Sequence, residues 1–265
     1  MTDRTRRGPW DGTIDSVSTQ PLPLTTLPLT GERTVPGVAR ENYWFRRHEV
    51  VYQWIVDQGF ARGTLVEAGC GEGYGADALR AAGAQVLAVD YDESVVTHVR
   101  RRYPRVQTMR ANLVDLPLRS GTADVVVSLQ VIEHLWDLPG FWREIQRVLS
   151  PSGRVVISTP NRVTFSPGVA RGEKPTNPFH VEEYDAAQLV DLLTAAGFRE
   201  VRVLGLRHGA RLADSDIVAR QIDAILADEW PAELDEEVAG VTTADFVIDA
   251  VEGDTDLDLI VVARR

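Results

Sequence analysis

Val66-Glu67-Ala68-Gly69-Cys70-Gly71-Glu72-Gly73-Tyr74-Gly75 continues an apolar, β-branched segment that begins at Thr64 and leads into a helix-like run ending near Ala82. Glycines at alternate positions strip side chains from a strand-to-helix turn, so a ligand can approach the main chain closely. Glu67 stands just ahead of that turn, where a phosphate cradle would more naturally hold Lys or a neutral residue. The next strand, Gln85-Val86-Leu87-Ala88-Val89, ends in Asp90, placed to accept from a ribose diol as in nucleotide-binding α/β folds. Glycine turn, acidic neighbour and strand-end acid together call for a ligand with a ribose and a positive charge but no pyrophosphate, and S-adenosylmethionine meets that description. The dinucleotide spacing G-x-G-x-x-G fails, because Tyr74 stands where the third glycine belongs, and no Gly-Lys-Ser/Thr follows to make a P-loop. A tight turn with packing glycines is the reading that needs no ligand, and it leaves the strand-end Asp unexplained.

Outward from this stretch, strands and helices alternate in the manner of a Rossmann-like α/β fold, a mostly parallel sheet with helices on both faces. Strands are expected at 64–67, 85–90, 106–110, 123–128 and 153–159, with Pro151-Ser152-Gly153 as the turn into the fifth. The apolar period predicts helices over 74–82, 94–103 and 138–149. Asp185 opens a helix through Ala196 with Gln188 completing a capping box and Gly197 closing it. Val201–Leu206 reads as a strand, as do 245–248 and 257–263, while the acidic segment 214–239 reads as helical. Residues 1–30, rich in Pro, Thr and Ser, read as a flexible arm ahead of a domain over 31–265. Within that domain, 31–62 carries an amphipathic cap helix (Glu41 to Gln58, stopped by Gly59), and 207–240 lies where a helical lid could be inserted.

Composition narrows the function classes. The 265 residues suffice for one large core, and 44% hydrophobic with 25% charged residues is ordinary for a globular chain. A net charge of −11 argues against nucleic acid as the main partner. The basic cluster Arg100-Arg101-Arg102 with Arg105 sits on what reads as a helix end, where it complements the dipole. The single cysteine, Cys70, excludes an intramolecular disulfide and a cysteine-based metal cluster. No apolar stretch is long enough for a membrane span and no signal-peptide core follows Met1, so a cytoplasmic enzyme with a small-molecule or oligosaccharide acceptor is expected. Oligomeric state is not written in the sequence.

Five blocks in order, Glu67-Ala68-Gly69-Cys70-Gly71-Glu72-Gly73, Val89-Asp90-Tyr91-Asp92, Ala111-Asn112-Leu113-Val114-Asp115-Leu116-Pro117, Gln130-Val131-Ile132-Glu133-His134-Leu135 and Ser158-Thr159-Pro160-Asn161, resemble the class I S-adenosylmethionine-dependent methyltransferases. The resemblance covers roughly 31–206 and the last strand, and it implies seven strands with one antiparallel at the edge. It also implies that Gly69, Gly71 and Gly73 line the methionine part of the cofactor, that Asp90 binds the ribose and that Tyr91 lies beside the adenine. Asn112, where most relatives have Asp, would accept from the adenine amino group next to the backbone of Leu113. Glu67 and Gln130 complete the expected cofactor-binding set. Gly31-Glu32-Arg33-Thr34-Val35-Pro36-Gly37, Arg47-His48 and Asn177-Pro178-Phe179-His180 are similar to a bacterial subgroup found with polysaccharide genes, and most of all to actinobacterial sugar O-methyltransferases linked to methylglucose-containing lipopolysaccharide.

Methyl transfer to a sugar hydroxyl needs the proton removed, and two devices are open to this chain. In one, His134 or His180 is a general base oriented by Glu133. In the other, Glu133, His134 and His180 ligate Mg²⁺ or Mn²⁺, which lowers the hydroxyl pKa. The second resembles the magnesium-dependent small-RNA 2′-O-methyltransferases and ubiquinone-pathway O-methyltransferases, with Gln130 in place of their first Glu. Against both, Glu133-His134 could merely open the following helix and His180 could satisfy loop carbonyls. Arg46, Arg47 and His48 either close the pocket or form a solvated face. Trp44 and Trp54 read as core, and Trp136 and Trp142 as packing for the helix after the fourth strand. The expected activity is O-methylation of a sugar or polysaccharide. The alternatives are an aromatic or quinone-precursor O-methyltransferase and, from another class, a nicotinamide-dependent oxidoreductase, which the glycine spacing and Glu67 disfavour.

Overall fold

Valines and leucines alternate between the two faces of each central strand, so every strand must be covered on both sides. In β5 (Leu149–Pro160), Val156 packs with the layer containing α1 (Asn42–Asp57), while Val155 and Ile157 pack with the layer containing α4 (Leu138–Val148). The computed structural model describes residues 34–227 and 229–265, so the expected arm over 1–30 and the Gly31-Glu32-Arg33 part of the N-terminal motif lie outside the described residues.

In chain order the elements are α1, β1 (Thr64–Ala68), α2 (Tyr74–Ala81), β2 (Gln85–Asp90), α3 (Glu93–Arg102), β3 (Gln107–Arg110), β4 (Ala123–Leu129), α4, β5, the single turn α5 (Arg162–Phe165), α6 (Ala186–Ala195), β6 (Arg199–His208), α7 (Ile217–Ala227), α8 (Ala232–Ala239), β7 (Phe246–Ala250) and β8 (Asp258–Arg264). The sheet order is β3-β2-β1-β4-β5-β8-β6-β7, with β1 to β5 parallel. The chain winds from β1 outward to β3 and then returns to β4 on the other side of β1. That reversal opens a crevice at the carboxyl ends of β1 and β4, where open α/β sheets place their ligands. Tyr43, Val51 and Ile55 of α1 and Leu79 of α2 cover one face, and Phe141, Trp142 and Ile145 of α4 with Leu189 and Leu193 of α6 cover the other.

The Rossmann-like class holds, but the strand count implied by the family resemblance does not. There are eight strands, two of them antiparallel. β8 is not the edge strand. It lies between β5 and β6, and the edge belongs to β7, which satisfies the outer backbone groups of β6. The expected turn at 151–153 is part of β5: the register jumps from Ala123↔Leu149 to Val125↔Arg154, so the intervening residues bulge rather than separate two elements. Asp185 does cap α6 by accepting from the Gln188 amide at 2.9 Å, yet the Gln188 side chain donates to Glu182 instead of closing a box. The helical 214–239 segment breaks at Pro231 into α7 and α8. α8 docks on α1, where Asn42 donates to the carbonyls of Val238 and Val241 at 2.9 Å each.

Candidate active site

The β1–α2 turn is shaped by backbone that only glycine enters freely, with φ of 83° at Gly69 and 49° at Gly71. Gly69 and Cys70 donate to the Val89 carbonyl at 2.8 and 3.0 Å, which stitches the turn to the end of β2. There the Asp90 carboxylate accepts from the amides of Gly71 (3.2 Å) and Asp92 (3.1 Å). The two features that decided the sequence reading therefore meet in space. The glycines divide their work, however. Gly69 and Gly71 line a cleft, Gly69 also leaving room for Val131, whereas the missing side chains of Gly73 and Gly75 make room for Val99 and the Tyr52 ring.

That cleft is lined by Thr34, His48, Tyr52, Tyr74 and Gln130 besides the turn. Glu67 lies buried beneath it, accepting from Tyr52 Oη at 2.7 Å with its second oxygen unpartnered. Burial, aided by Asp90, raises its carboxyl to about 8 against the Tyr52 hydrogen bond, so it holds a proton at neutral pH. Burial and then Arg47 lower the His48 imidazole to about 4, which keeps it neutral. The lone thiol, Cys70, is also buried at the cleft, and burial with Glu67 and Asp90 raises its pKa. These residues fit a cationic, ribose-bearing ligand: the turn is bare, the strand-end acid faces it, and among the described residues no Lys or Arg lines the cleft, whose one imidazole, His48, is held neutral.

The other expected cofactor residues lie on neighbouring loops. Tyr91 is 75% exposed beside Asp90. Asn112 follows β3 and uses its Oδ1 to accept from the Val114 amide at 3.2 Å, while the Leu113 side chain is buried in the core. Gln130 sits just past β4 in the left-handed region (φ 54°) and donates to Ser158 at 3.1 Å and Asp258 at 3.2 Å. Asp258 also receives the guanidinium of Arg47 through two bonds, one of 2.7 Å from Nε, and both side chains are buried. Arg47 is thus not on a solvated face. With Gln130 it ties the cap helix to the floor of the site.

Beyond Gln130, the sequence candidates Glu133, His134 and His180 converge, with donor atoms within 4.8 Å of one another. The two imidazoles meet edge to face at 5.0 Å. His134 Nδ1 lies 3.1 Å from the Phe179 carbonyl, and His180 Nδ1 lies 2.6 Å from Glu183 with Nε2 3.1 Å from the Asn177 amide nitrogen. Glu133 is buried and accepts from Thr159 at 3.0 Å, its other oxygen unpartnered, and burial raises its pKa. Its carbonyl accepts from Val181 at 2.7 Å, which pins the His180 loop to the end of β4. Glu133 and His134 form a short 3₁₀ turn, not the start of α4.

One aromatic residue was misread. Trp142 packs as expected, but Trp136, two residues past His134, is 89% exposed, and Phe179, next to His180 in the chain, is 54% exposed. The apolar period of α4 begins at Leu138, so Trp136 lies outside the face it was assigned to; the only signal was its place ahead of that helix. Thr34, Tyr52 and Tyr74 were also missed as cleft residues, because nothing local marks them.

A family model described as a methyltransferase domain matches residues 66–157. The chain is 54% identical over 250 residues to a Mycobacterium tuberculosis protein named "probable S-adenosylmethionine-dependent methyltransferase", with 90% of each chain covered. It is 51% identical over 249 residues to a similarly named protein of Mycolicibacterium smegmatis, covering 90% of this chain and 95% of that one. Among solved structures, a geranyl diphosphate C-methyltransferase from Streptomyces coelicolor superposes with a TM-score of 0.58 at 16% identity over 89% of each chain, which speaks for the fold alone.

Proposed function

The chain belongs to the S-adenosylmethionine-dependent methyltransferases, and from that premise we propose that it methylates a hydroxyl of a sugar or oligosaccharide. The observation that carries this reading is the pair of imidazoles of His134 and His180, 5.0 Å apart, with exposed aromatic residues close to each in the chain, Trp136 two positions past His134 and Phe179 next to His180. S-adenosylmethionine supplies an electrophilic methyl group on a sulfonium. Gly69, Gly71 and Asp90 would hold it, with Glu67 and Gln130 beneath and beside, and Asn112 and Tyr91 toward the adenine.

A sugar hydroxyl is a weak acid, so its proton must be taken as the oxygen attacks. The Phe179 carbonyl can only accept, so Nδ1 of a neutral His134 carries the proton and Nε2 is the basic nitrogen. His134 is therefore the general base. His180, engaged at both nitrogens by Glu183 and Asn177, positions it edge-on, and buried Glu133 fixes the loop through its carbonyl. The Trp136 face offers an apolar surface to the ring of a pyranose.

A second reading keeps the same acceptor but adds a divalent ion on Glu133, His134 and His180. It is favoured by the orphaned Glu133 oxygen and opposed by the two bonds that already occupy His180. Mixed imidazole and carboxylate donors suit Mn²⁺ better than Mg²⁺. The test is a screen for transfer of labelled methyl to mono- and oligosaccharides, catechols and quinone precursors. Label appearing in a saccharide supports the reading, and label found only in a catechol or quinone precursor replaces it with the aromatic alternative. His134→Ala should lower turnover by about 10²- to 10⁴-fold while leaving S-adenosylhomocysteine affinity intact. Turnover unchanged after exhaustive chelation removes the metal reading.

A further inference from the structure

At the opposite pole of the sheet, β5 and β8 place Arg154 and Arg264 directly across from each other in register. Like charges facing each other across a strand pair are destabilising, so nothing in the fold itself asks for this arrangement. Arg202 of β6 and Arg62, ahead of β1, join them around two adjoining clefts that share Arg154. Among the described residues, the acids lining these clefts are Asp124 and Glu200. Asp124 is committed to the Thr64 amide at 2.9 Å and Glu200 to Arg264 at 3.0 Å. Among the described residues, Arg62, Arg154 and Arg202 have no carboxylate within ion-pair distance, in a chain whose net charge is −11. Arg47, Arg147, Arg162, Arg171, Arg207 and Arg211 each grip an acid, and Arg100 donates to Thr108, whereas the cleft gathers its unpaired arginines in one place.

The cleft is also built to take something larger than a counterion. The Arg154 guanidinium sits over the Phe60 ring, 4.7 Å from its centre, a cation–π contact that helps hold the side chain in place. Trp54, Leu204 and Val262 give the adjoining wall an apolar surface. Burial, then the like charges of Arg264 and Arg62, push the Arg154 guanidinium below its ordinary value, with Glu200 offsetting part of the effect.

We propose that this cleft is a second binding site, separate from the methyl-transfer centre, for a phosphate monoester whose organic part packs against Phe60 and Trp54. A dianionic phosphoryl group matches the unpaired guanidinium forks in charge and in geometry, where a single carboxylate would neutralise one of them. The same chemistry is presented by a soluble phosphorylated metabolite and by a lipid phosphate headgroup.

The experiment is calorimetric titration of the full chain with inorganic phosphate and with phenyl phosphate at fixed ionic strength, alongside co-sedimentation with phosphatidylcholine vesicles with and without phosphatidic acid. Phenyl phosphate should bind more tightly than inorganic phosphate, and R154Q/R202Q should weaken it at least tenfold without changing S-adenosylhomocysteine affinity. Should that double variant fail to fold, R202Q alone, at an exposed position, should still weaken binding several-fold. Sedimentation with phosphatidic acid vesicles that the variants lose, with no binding of soluble phosphates, upholds the phosphoryl site and assigns it to a headgroup. Equal affinity in wild type and variants, or no binding in either arm, overturns the proposal.

Discussion

At the carboxyl ends of β1, β2 and β4 the acids Glu67, Asp90 and Glu133 are buried, and each accepts from a named neighbour. At the other pole Arg62, Arg202 and Arg264 are exposed and crowd around a half-buried Arg154, with two acids between them that are already engaged. The first arrangement is part of the fold. Removing one partner there leaves a polar or charged group unsatisfied away from water. The second contributes little to folding, because exposed charges are screened and hydrated whether or not they are paired. Charge that the fold does not use is charge left for a ligand, and the contrast can be tested residue by residue.

The sharpest test is Asp258→Ala. It leaves the buried Arg47 guanidinium without its bidentate partner and should lower unfolding stability by about 3–5 kcal/mol in urea titration. Arg264→Gln at the other pole should stay within about 0.5 kcal/mol of wild type. Similar losses from both substitutions would break the contrast.

A pH titration of stability comes next. Glu67 is raised to about 8 in the fold and returns to the ordinary carboxyl range when unfolded. Its contribution is complete below the unfolded pKa and is lost as pH rises through about 8. His48 is lowered to about 4, so stability falls in the opposite direction, from about 6.5 down through that value. The two windows overlap between about 4.5 and 6.5, where the opposed slopes offset each other, so the unliganded protein should be most stable there. Glu67→Gln should flatten the alkaline limb by up to a few kcal/mol and His48→Gln the acidic limb by less. A profile unmoved by Glu67→Gln would show that its carboxyl is not held protonated.

The smallest effect concerns the exposed ring. Trp136→Ala should raise KM for a saccharide acceptor about five- to tenfold, on the order of 1 kcal/mol, with the melting temperature unchanged. A fall in melting temperature with KM unaltered would return Trp136 to the packing role first expected of it.

The sequence disclosed what local chemistry writes into consecutive residues. Glycines 69 and 71 with Asp90 are legible because a bare turn and a strand-end acid are each a short-range signature, and the sheet brings them to 3.2 Å. Glu133, His134 and His180 were legible as chemistry-bearing types, and the Val181 bond to Glu133 supplies the convergence. What escaped is long-range. Arg47 and Asp258 are 211 positions apart, so nothing near Arg47 distinguishes a buried ion pair from a solvated face. The facing of Arg154 and Arg264 exists only once β8 is inserted between β5 and β6, which the family pattern of an edge strand conceals. Trp136 was misplaced because an aromatic residue near a helix start has the same composition whether it points in or out.

Cys70 gives the molecule a built-in stopwatch. It is the chain's sole sulfhydryl, seated where the bare turn meets its cavity, and its burial suppresses the reactive anion. An alkylating reagent can mark the protein only during moments when that wall parts. The labelling half-life thus clocks the breathing of the pocket, and its lengthening under ligand reads out occupancy with no turnover required.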